Sequence, residues 1–354
     1  MDGFRAHIEL IHALRAGIAA LLGYGCYLLL APKGLSAQWI LITIVVIMCS
    51  NSALGTQISR SLWRMLATLI GSILAIGVLM LPTDQGLLAI ALCLIVSLAV
   101  FISVSKSKYS YAASLGAITF CMISLANTPG LPLALARSSE ILLGILISLI
   151  VSRVIFPTPS ETLIKKLGLI NLSRLADLYK KVLLENKDRF NDPDIMSLDS
   201  QILESHTNQR QLHAHIKFEQ PFHSQNPHVA KQFIRNEMAL YRYFSVIEVL
   251  ERILAEYRPD KRAEWKNQEN YLKKNLNAYI TTLCDLLIKI SKQDDLEKIQ
   301  NQVKNLKDLN TELEDINNTP IHIHNSKIYQ AINALIFIQS RIVFVCEDLI
   351  RYYA

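Results

Sequence analysis

The polarity of this chain changes once, near residue 157. Ahead of that point, apolar residues run in six long stretches, approximately 15–31, 37–55, 63–81, 86–104, 109–127 and 138–156. Each is near the ~20 residues a helix needs to cross about 30 Å of hydrocarbon, so each predicts a membrane span. Polar clusters separate them: Pro32-Lys33-Gly34, residues 51–60, Pro82-Thr83-Asp84, residues 105–108 and residues 127–132. The prolines here sit at segment ends, where no backbone donor is lost in lipid. Residues 2–14 place Phe4, Ile8 and Ile11 at helical spacing beside Asp2, His7, Glu9 and His12. That pattern predicts an interfacial helix feeding the first span, not a cleaved signal peptide.

Beyond residue 157 the apolar residues recur at helical period among charges, as in Leu163, Leu167, Ile170, Leu175, Leu178 and Val182. Similar patterns cover 160–187, 195–217, 228–257, 261–292, 295–316 and 326–353, with breaks at Pro193, Pro221 to Pro227, Pro259 and Pro320. The last of them, Ile328 to Leu349, is apolar enough for a bundle centre and too amphipathic for a seventh span. The expected fold is all-α: a six-helix transmembrane bundle over residues 1–157, then a cytoplasmic antiparallel helical bundle over 158–354.

Composition sharpens the division. The chain is 51% apolar and 19% charged, against about 25% charged in soluble proteins. Residues 1–157 hold nine Lys/Arg and four Asp/Glu, whereas 158–354 hold 27 and 26. With the N-terminus inside, Arg5, Arg15, Arg60, Arg64, Lys106, Lys108 and Arg153 face the cytoplasm, and only Lys33 and Arg137 face out. Both termini are therefore expected in the cytoplasm. The basic excess lies in the apolar half, so it does not indicate nucleic acid. The cysteines (26, 49, 93, 121, 284 and 346) are scattered without CxxC spacing. Phosphate-loop, dinucleotide, GxSxG and HExxH motifs are absent, so the sequence offers no enzyme chemistry, cofactor or metal site. His206, His213, His215, His223 and His228 cluster without a cysteine set, and read as solvated or packed.

Ionisable groups near lipid are costly and need a partner or a task. Arg15 and Arg64 open the first and third spans, either as headgroup anchors or as cations for an anionic substrate. Arg137 and Glu140, three apart, can pair on one helix face. Glu140 is the sole acid inside the expected spans, either an ion-pair partner or a proton-coupling group. Trp39 fits an interfacial belt or an aromatic-lined pocket. Ser50-Asn51-Ser52, with Thr56 and Gln57, marks either an unwound substrate contact including Asn51 or the inner end of the second span. Arg64 precedes Gly71 by seven residues, as Arg137 precedes Gly144, and prolines 82 and 157 follow. This spacing is that of a three-plus-three inverted repeat, or of recurring small-residue packing faces.

The stretches LRAGIAALLGYGCYLLL, QWILITIVVIM, SRSLWRMLATLIGSILA and ARSSEILLGILISLIVSRVIFP resemble the fusaric acid resistance and aromatic acid exporter family. Arg15, Trp39, Arg64, Gly71, Arg137, Glu140, Gly144 and Pro157 carry the likeness, over about the first 160 residues. The resemblance implies export of aromatic carboxylic acids or similar amphipathic anions across a bacterial inner membrane, with the proton gradient as a candidate energy source. Members commonly carry two copies of the membrane-plus-soluble unit and some work with a periplasmic adaptor protein. One copy is seen here, so the resemblance implies a homodimer and puts adaptor pairing in doubt. Two alternatives stand: a passive anion channel with the layout of plant malate channels, and a membrane-anchored helical scaffold.

Overall fold

The computed structural model describes residues 2–30, 38–49, 53–81, 85–105, 109–126, 130–219, 227–256, 262–318 and 326–353. All regular structure among these residues is helical. The chain divides into two compact units, residues 1–160 with 215–224, and residues 161–214 with 225–354.

The first unit holds α1 (Asp2–Leu30), α2 (Gln38–Met48), α3 (Leu54–Met80), α4 (Gln85–Val104), α5 (Ser110–Ser124) and α6 (Leu131–Val154). Four of these, Glu9–Leu30 of α1 with α3, α4 and α6, are long and apolar enough to cross a membrane. The other two are apolar but shorter, at 11 residues for α2 and 15 for α5. The expected interfacial helix and first span are one continuous helix. The largest departure is α3, which begins at Leu54 rather than 63 and has Ala53 as its N-cap. Thr56 and Gln57 therefore belong to the first turns of α3 and do not interrupt the second span. The expectation missed these turns because they are polar yet buried: Gly55, Thr56, Gln57 and Ser59 all face the interior. Asn51 lies outside the described residues.

The packing of these helices has a two-fold pattern. Helix α1 packs on α2 and α2 on α6, while α4 packs on α5 and α5 on α3; α3 crosses α6. Exchanging α1–α3 for α4–α6 maps this set onto itself. The contacts of α1 with α6 and of α2 with α3 are the exceptions, since α4 with α3 and α5 with α6 show none of similar extent. The correspondence reaches single atoms. A methyl group on Gly71 of α3 would strike the backbone carbonyl of Gly116 on α5 and lie 3.0 Å from Thr119. One on Gly144 of α6 would lie 2.8 Å from the carbonyl oxygen of Ile40 on α2 and 2.8 Å from Thr43. In both, a glycine meets a carbonyl and the threonine three residues on. The crossing of α3 and α6 is antiparallel, because Ser72 meets Ser138 at 3.5 Å whereas Met65 packs on the cluster of Ile141 and Ile145. Small residues allow such close helix approach where lipid removes the hydrophobic drive.

The second unit holds most of α7 (Ser160–Tyr179), which runs into a π-helical turn (Lys180–Leu184), then α8 (Pro193–Ile216), α9 (Pro227–Glu256), α10 (Arg262–Lys292), α11 (Leu296–Asn318) and α12 (Ser326–Tyr353). Helix α12 packs on both α9 and α11, and α11 on α10. Its core holds Leu175, Phe244, Leu283 and Leu335, with two fully buried tyrosines. Tyr179 and Tyr279 donate to the carbonyls of Leu240 and Gln339, each at 2.8 Å, so neither hydroxyl is stranded.

One carboxylate lies in this core. Glu237 accepts from Asn171 Nδ2 at 2.6 Å and Gln209 Nε2 at 2.8 Å. Burial pushes its pKa from 4.5 to about 7, against the pull of those two donors. Between these values the folded protein holds a proton that the unfolded chain has released. The associated stability is complete below pH 4.5 and is lost as the pH rises through about 7. Its size is on the order of 3 kcal/mol. The variant Glu237→Gln should flatten this slope and melt higher than the parent at pH 8. Gln209 can rotate to offer its otherwise unpartnered Oε1 to the new amide. Parallel thermal melts of both proteins from pH 5 to 8 check this, and identical slopes would contradict it.

Candidate functional site

The buried face of α3 is polar along its length. Gln57, Ser61, Arg64, Thr68 and Ser72 recur every three or four residues, and none is more than 6% exposed. The opposite face carries Leu62, Leu66, Leu69, Ile70 and Ile73, all more than 40% exposed. In a helix of membrane-spanning length this places hydrocarbon outside and polarity inside.

Arg64 is 5% exposed and donates from Nη2 to Thr43 Oγ1 of α2 at 3.2 Å. Arg137 of α6 pairs with Glu140 at 3.2 Å, and its guanidinium lies 5.1 Å from the ring centroid of Trp39. These groups converge. Trp39, Arg64 and Arg137 line one cavity, floored by Thr68, Thr119 and Ile141. By the two-fold correspondence Arg64 matches Arg137 and Thr43 matches Thr119, so the cavity lies where the two halves of the unit meet. Its volume is about 20 Å³, room for about one water. An aromatic acid does not fit this arrangement, and passage through it requires the helices to separate.

Several polar atoms of this face have no hydrogen-bond partner among the described residues: both side-chain polar atoms of Gln57, the hydroxyl of Ser61 and Nε of Arg64; the indole nitrogen of Trp39 on α2 likewise has none. Buried polar atoms are usually satisfied, and leaving one unmade costs about 1–3 kcal/mol.

Arg15 stands apart from this cavity. It is fully buried and donates to Thr158 Oγ1 at 3.3 Å, while its Nε and Nη1 have no partner among the described residues. It is a buried cation, not an exposed headgroup anchor. Beside it, Leu54 N donates to the Thr158 carbonyl at 3.2 Å, joining the start of α3 to the α6–α7 link.

The sequence reading missed Glu219, which completes this cluster. The turn after α8, residues 215–219, belongs to the first unit. Its Glu219 is fully buried and accepts from Gly55 N, from Ser160 N at 3.0 Å and from Ser160 Oγ at 2.6 Å. It therefore satisfies the orphan amides at the starts of both α3 and α7, where the helix dipole also favours a negative charge. Gly55 is required here, because a Cβ would lie 2.6 Å from the His215 carbonyl and 2.7 Å from Glu219 Oε1. Nothing in the local sequence separates Glu219 from a solvated acid; the partners are 59 and 164 residues away. The variant Glu219→Ala should lower stability by about 1–3 kcal/mol, since three donors lose their acceptor. Glu219→Gln, which keeps one oxygen, should lose less. Melting temperatures of the detergent-purified protein test the ranking, and an unaltered Glu219→Ala melt would refute it.

Of the residues singled out from sequence, the structure brings Trp39, Arg64 and Arg137 to one cavity, with Glu140 bound to Arg137. It places Arg15 in a separate cluster, and gives Gly71 and Gly144 to equivalent helix crossings. Thr43 and Thr119 were not anticipated. Thr43 lies one turn beyond Trp39, which was the available clue.

Comparison with known proteins agrees with this membrane-type architecture. Aluminum-activated malate transporter 1 of Triticum aestivum is 28% identical over 238 residues, covering 60% of this chain and 51% of that protein. Aluminum-activated malate transporter 2 of Arabidopsis thaliana is 25% identical over 241 residues, covering 61% and 48%. The chain thus spans about half the length of the curated relatives it matches. The sequence profile of the fusaric acid resistance protein family matches residues 9–333, nearly the whole chain, and the protein belongs to that family.

Proposed function

We propose that this protein exports aromatic carboxylic acids or similar amphipathic organic anions across a bacterial inner membrane. In this reading α1–α6 form a six-helix transmembrane bundle, both termini are cytoplasmic, and the second unit lies in the cytoplasm. The shorter α2 and α5 cross with tilt or local thinning of the bilayer. The observation that carries the proposal is the buried polar face of α3, where unsatisfied groups of Gln57, Ser61 and Arg64 run toward the cavity of Trp39 and Arg137. Such groups are expensive in a membrane interior and mark a polar path.

The chemistry suits the cargo. Guanidinium groups present planar forks matched to a carboxylate, and Trp39 offers a face for an aromatic ring. Arg15 is an inner station, and Arg64 with Arg137 a central one. Glu140 holds Arg137 while the path is closed. Proton uptake by Glu140 would release Arg137 to an anion, coupling export to the proton gradient. A homodimer of cyclic two-fold symmetry is the simplest assembly, and a periplasmic adaptor is a further candidate partner.

The second reading is a passive anion channel, favoured by the names of the malate-transporting relatives. The two readings separate in one comparison. Accumulation of a panel of hydrophobic weak acids is measured in deletion and complemented cells, with and without a protonophore. Complementation that lowers accumulation and is lost with the protonophore supports coupled export. Reconstituted anion currents that persist without a proton gradient support the channel, and no effect on any acid or current rejects both.

A further inference from the structure

The second unit contains a groove unrelated to the transport path. Its volume is about 850 Å³ and it runs between α8 and α9. Helix α8 contributes His206, Arg210 and His213, at successive turns of one face. Helix α9 contributes His228, Lys231, Arg235 and Arg242, again along one face. Every ionisable residue lining it is basic, although charges over residues 158–354 nearly balance, at 27 Lys/Arg and 26 Asp/Glu. Some cations elsewhere in this unit are paired: Arg189 binds Asp199 at 3.0 Å and Glu248 at 3.3 Å. Arg210, Lys231, Arg235 and Arg242 have no carboxylate partner among the described residues.

The floor is apolar, made by Ile234 and Met238. His213 Nε2 meets the Pro227 carbonyl at 3.0 Å, tying α8 to the first residue of α9 and holding one end of the groove in shape. The field inside is positive enough to act on its own members: burial and the nearby Arg210 and Arg242 hold the His206 imidazole below its ordinary pKa. Uncompensated like charges lining a concave surface cost stability, and an anion with several negative oxygens relieves that cost at several points at once. Arginine forks are matched to phosphate oxygens.

We infer that the α8–α9 groove is a binding site for a multiply charged, phosphate-bearing anion, held by Arg210 from one side and Lys231, Arg235 and Arg242 from the other. The chemistry is shared by soluble polyphosphates and by phospholipid headgroups, and the test separates these sources. Full-length protein in nanodiscs of phosphatidylcholine is titrated with inorganic tripolyphosphate. Its melting temperature is also compared between phosphatidylcholine nanodiscs and nanodiscs containing cardiolipin, whose headgroup carries two phosphates. The variants are Arg210→Gln with Arg235→Gln, and the charge-keeping pair Arg210→Lys with Arg235→Lys.

A soluble ligand is supported by saturable tripolyphosphate binding that weakens at least about tenfold in the glutamine pair, is largely retained in the lysine pair, and falls steeply with added salt. A headgroup is supported by a rise in melting temperature with cardiolipin that the glutamine pair loses and the lysine pair keeps. Absence of both effects in the parent protein, or either effect surviving undiminished in the glutamine pair, overturns the inference. If the glutamine pair does not purify as a folded protein, Lys231→Gln at an exposed position takes its place under the same criteria.

Discussion

Arg64→Ala and Arg137→Ala, each at parental expression, should lower efflux of the transported acid by about 10- to 100-fold. The figure follows from losing one charge-assisted hydrogen bond to a carboxylate, about 1.5–3 kcal/mol. The two positions are equivalent in the repeat but not in surroundings. Arg64 holds Thr43, whereas Arg137 is bound to Glu140 and lies against Trp39. Arg64→Lys should therefore recover only part of the loss, because an ammonium is a point charge without the fork. Arg137→Ala leaves Glu140, 5% exposed, without that partner. Efflux measured in cells at matched expression decides the matter; unchanged transport in both alanine variants would remove the central station from the mechanism.

Replacing either crossing glycine should damage the membrane unit itself. At Gly71 the obstruction is the backbone carbonyl of Gly116, which cannot rotate away. Gly71→Val should fall at or beyond the upper end of the usual ~1–3 kcal/mol cost of overpacking. Gly144→Val, facing the Ile40 carbonyl and the Thr43 Cβ at 2.8 Å each, should be somewhat milder because its nearest contact is longer than the one at Gly71. Gly77, where a methyl group would meet nothing within 4 Å, is the internal control, and Gly77→Val should purify like the parent. The readout is the yield of monodisperse protein in detergent and its melting temperature. Equal behaviour of Gly71→Val and Gly77→Val would show that the α3–α5 approach is looser than described.

Much of the architecture is written in periodicity. Four membrane-length helices and the helices of the second unit coincide with apolar runs or helical patterns, because lipid and core burial both select for local composition. The reading failed at the start of α3. A run of Gly55, Thr56, Gln57 and Ser59 looks like a loop when only hydropathy is counted, yet it is the buried beginning of a helix. The site was partly legible for a related reason. Arg15, Arg64, Arg137 and Glu140 stand out because charge is rare in the first half, whereas Glu219 was hidden among the many charges of the second.

By itself the sequence determined the helical class, the change of character near residue 157 and the few ionisable groups that an apolar half retains. Those follow from local composition, since each helix must match its own solvent along its length. Only the tertiary structure decided that Trp39, Arg64 and Arg137 share a cavity while Arg15 does not, that Gly71 and Gly144 occupy equivalent crossings, and that Glu219 caps two distant helices. These depend on which faces meet, and contacts between residues as far as 164 positions apart leave no periodic trace in the chain.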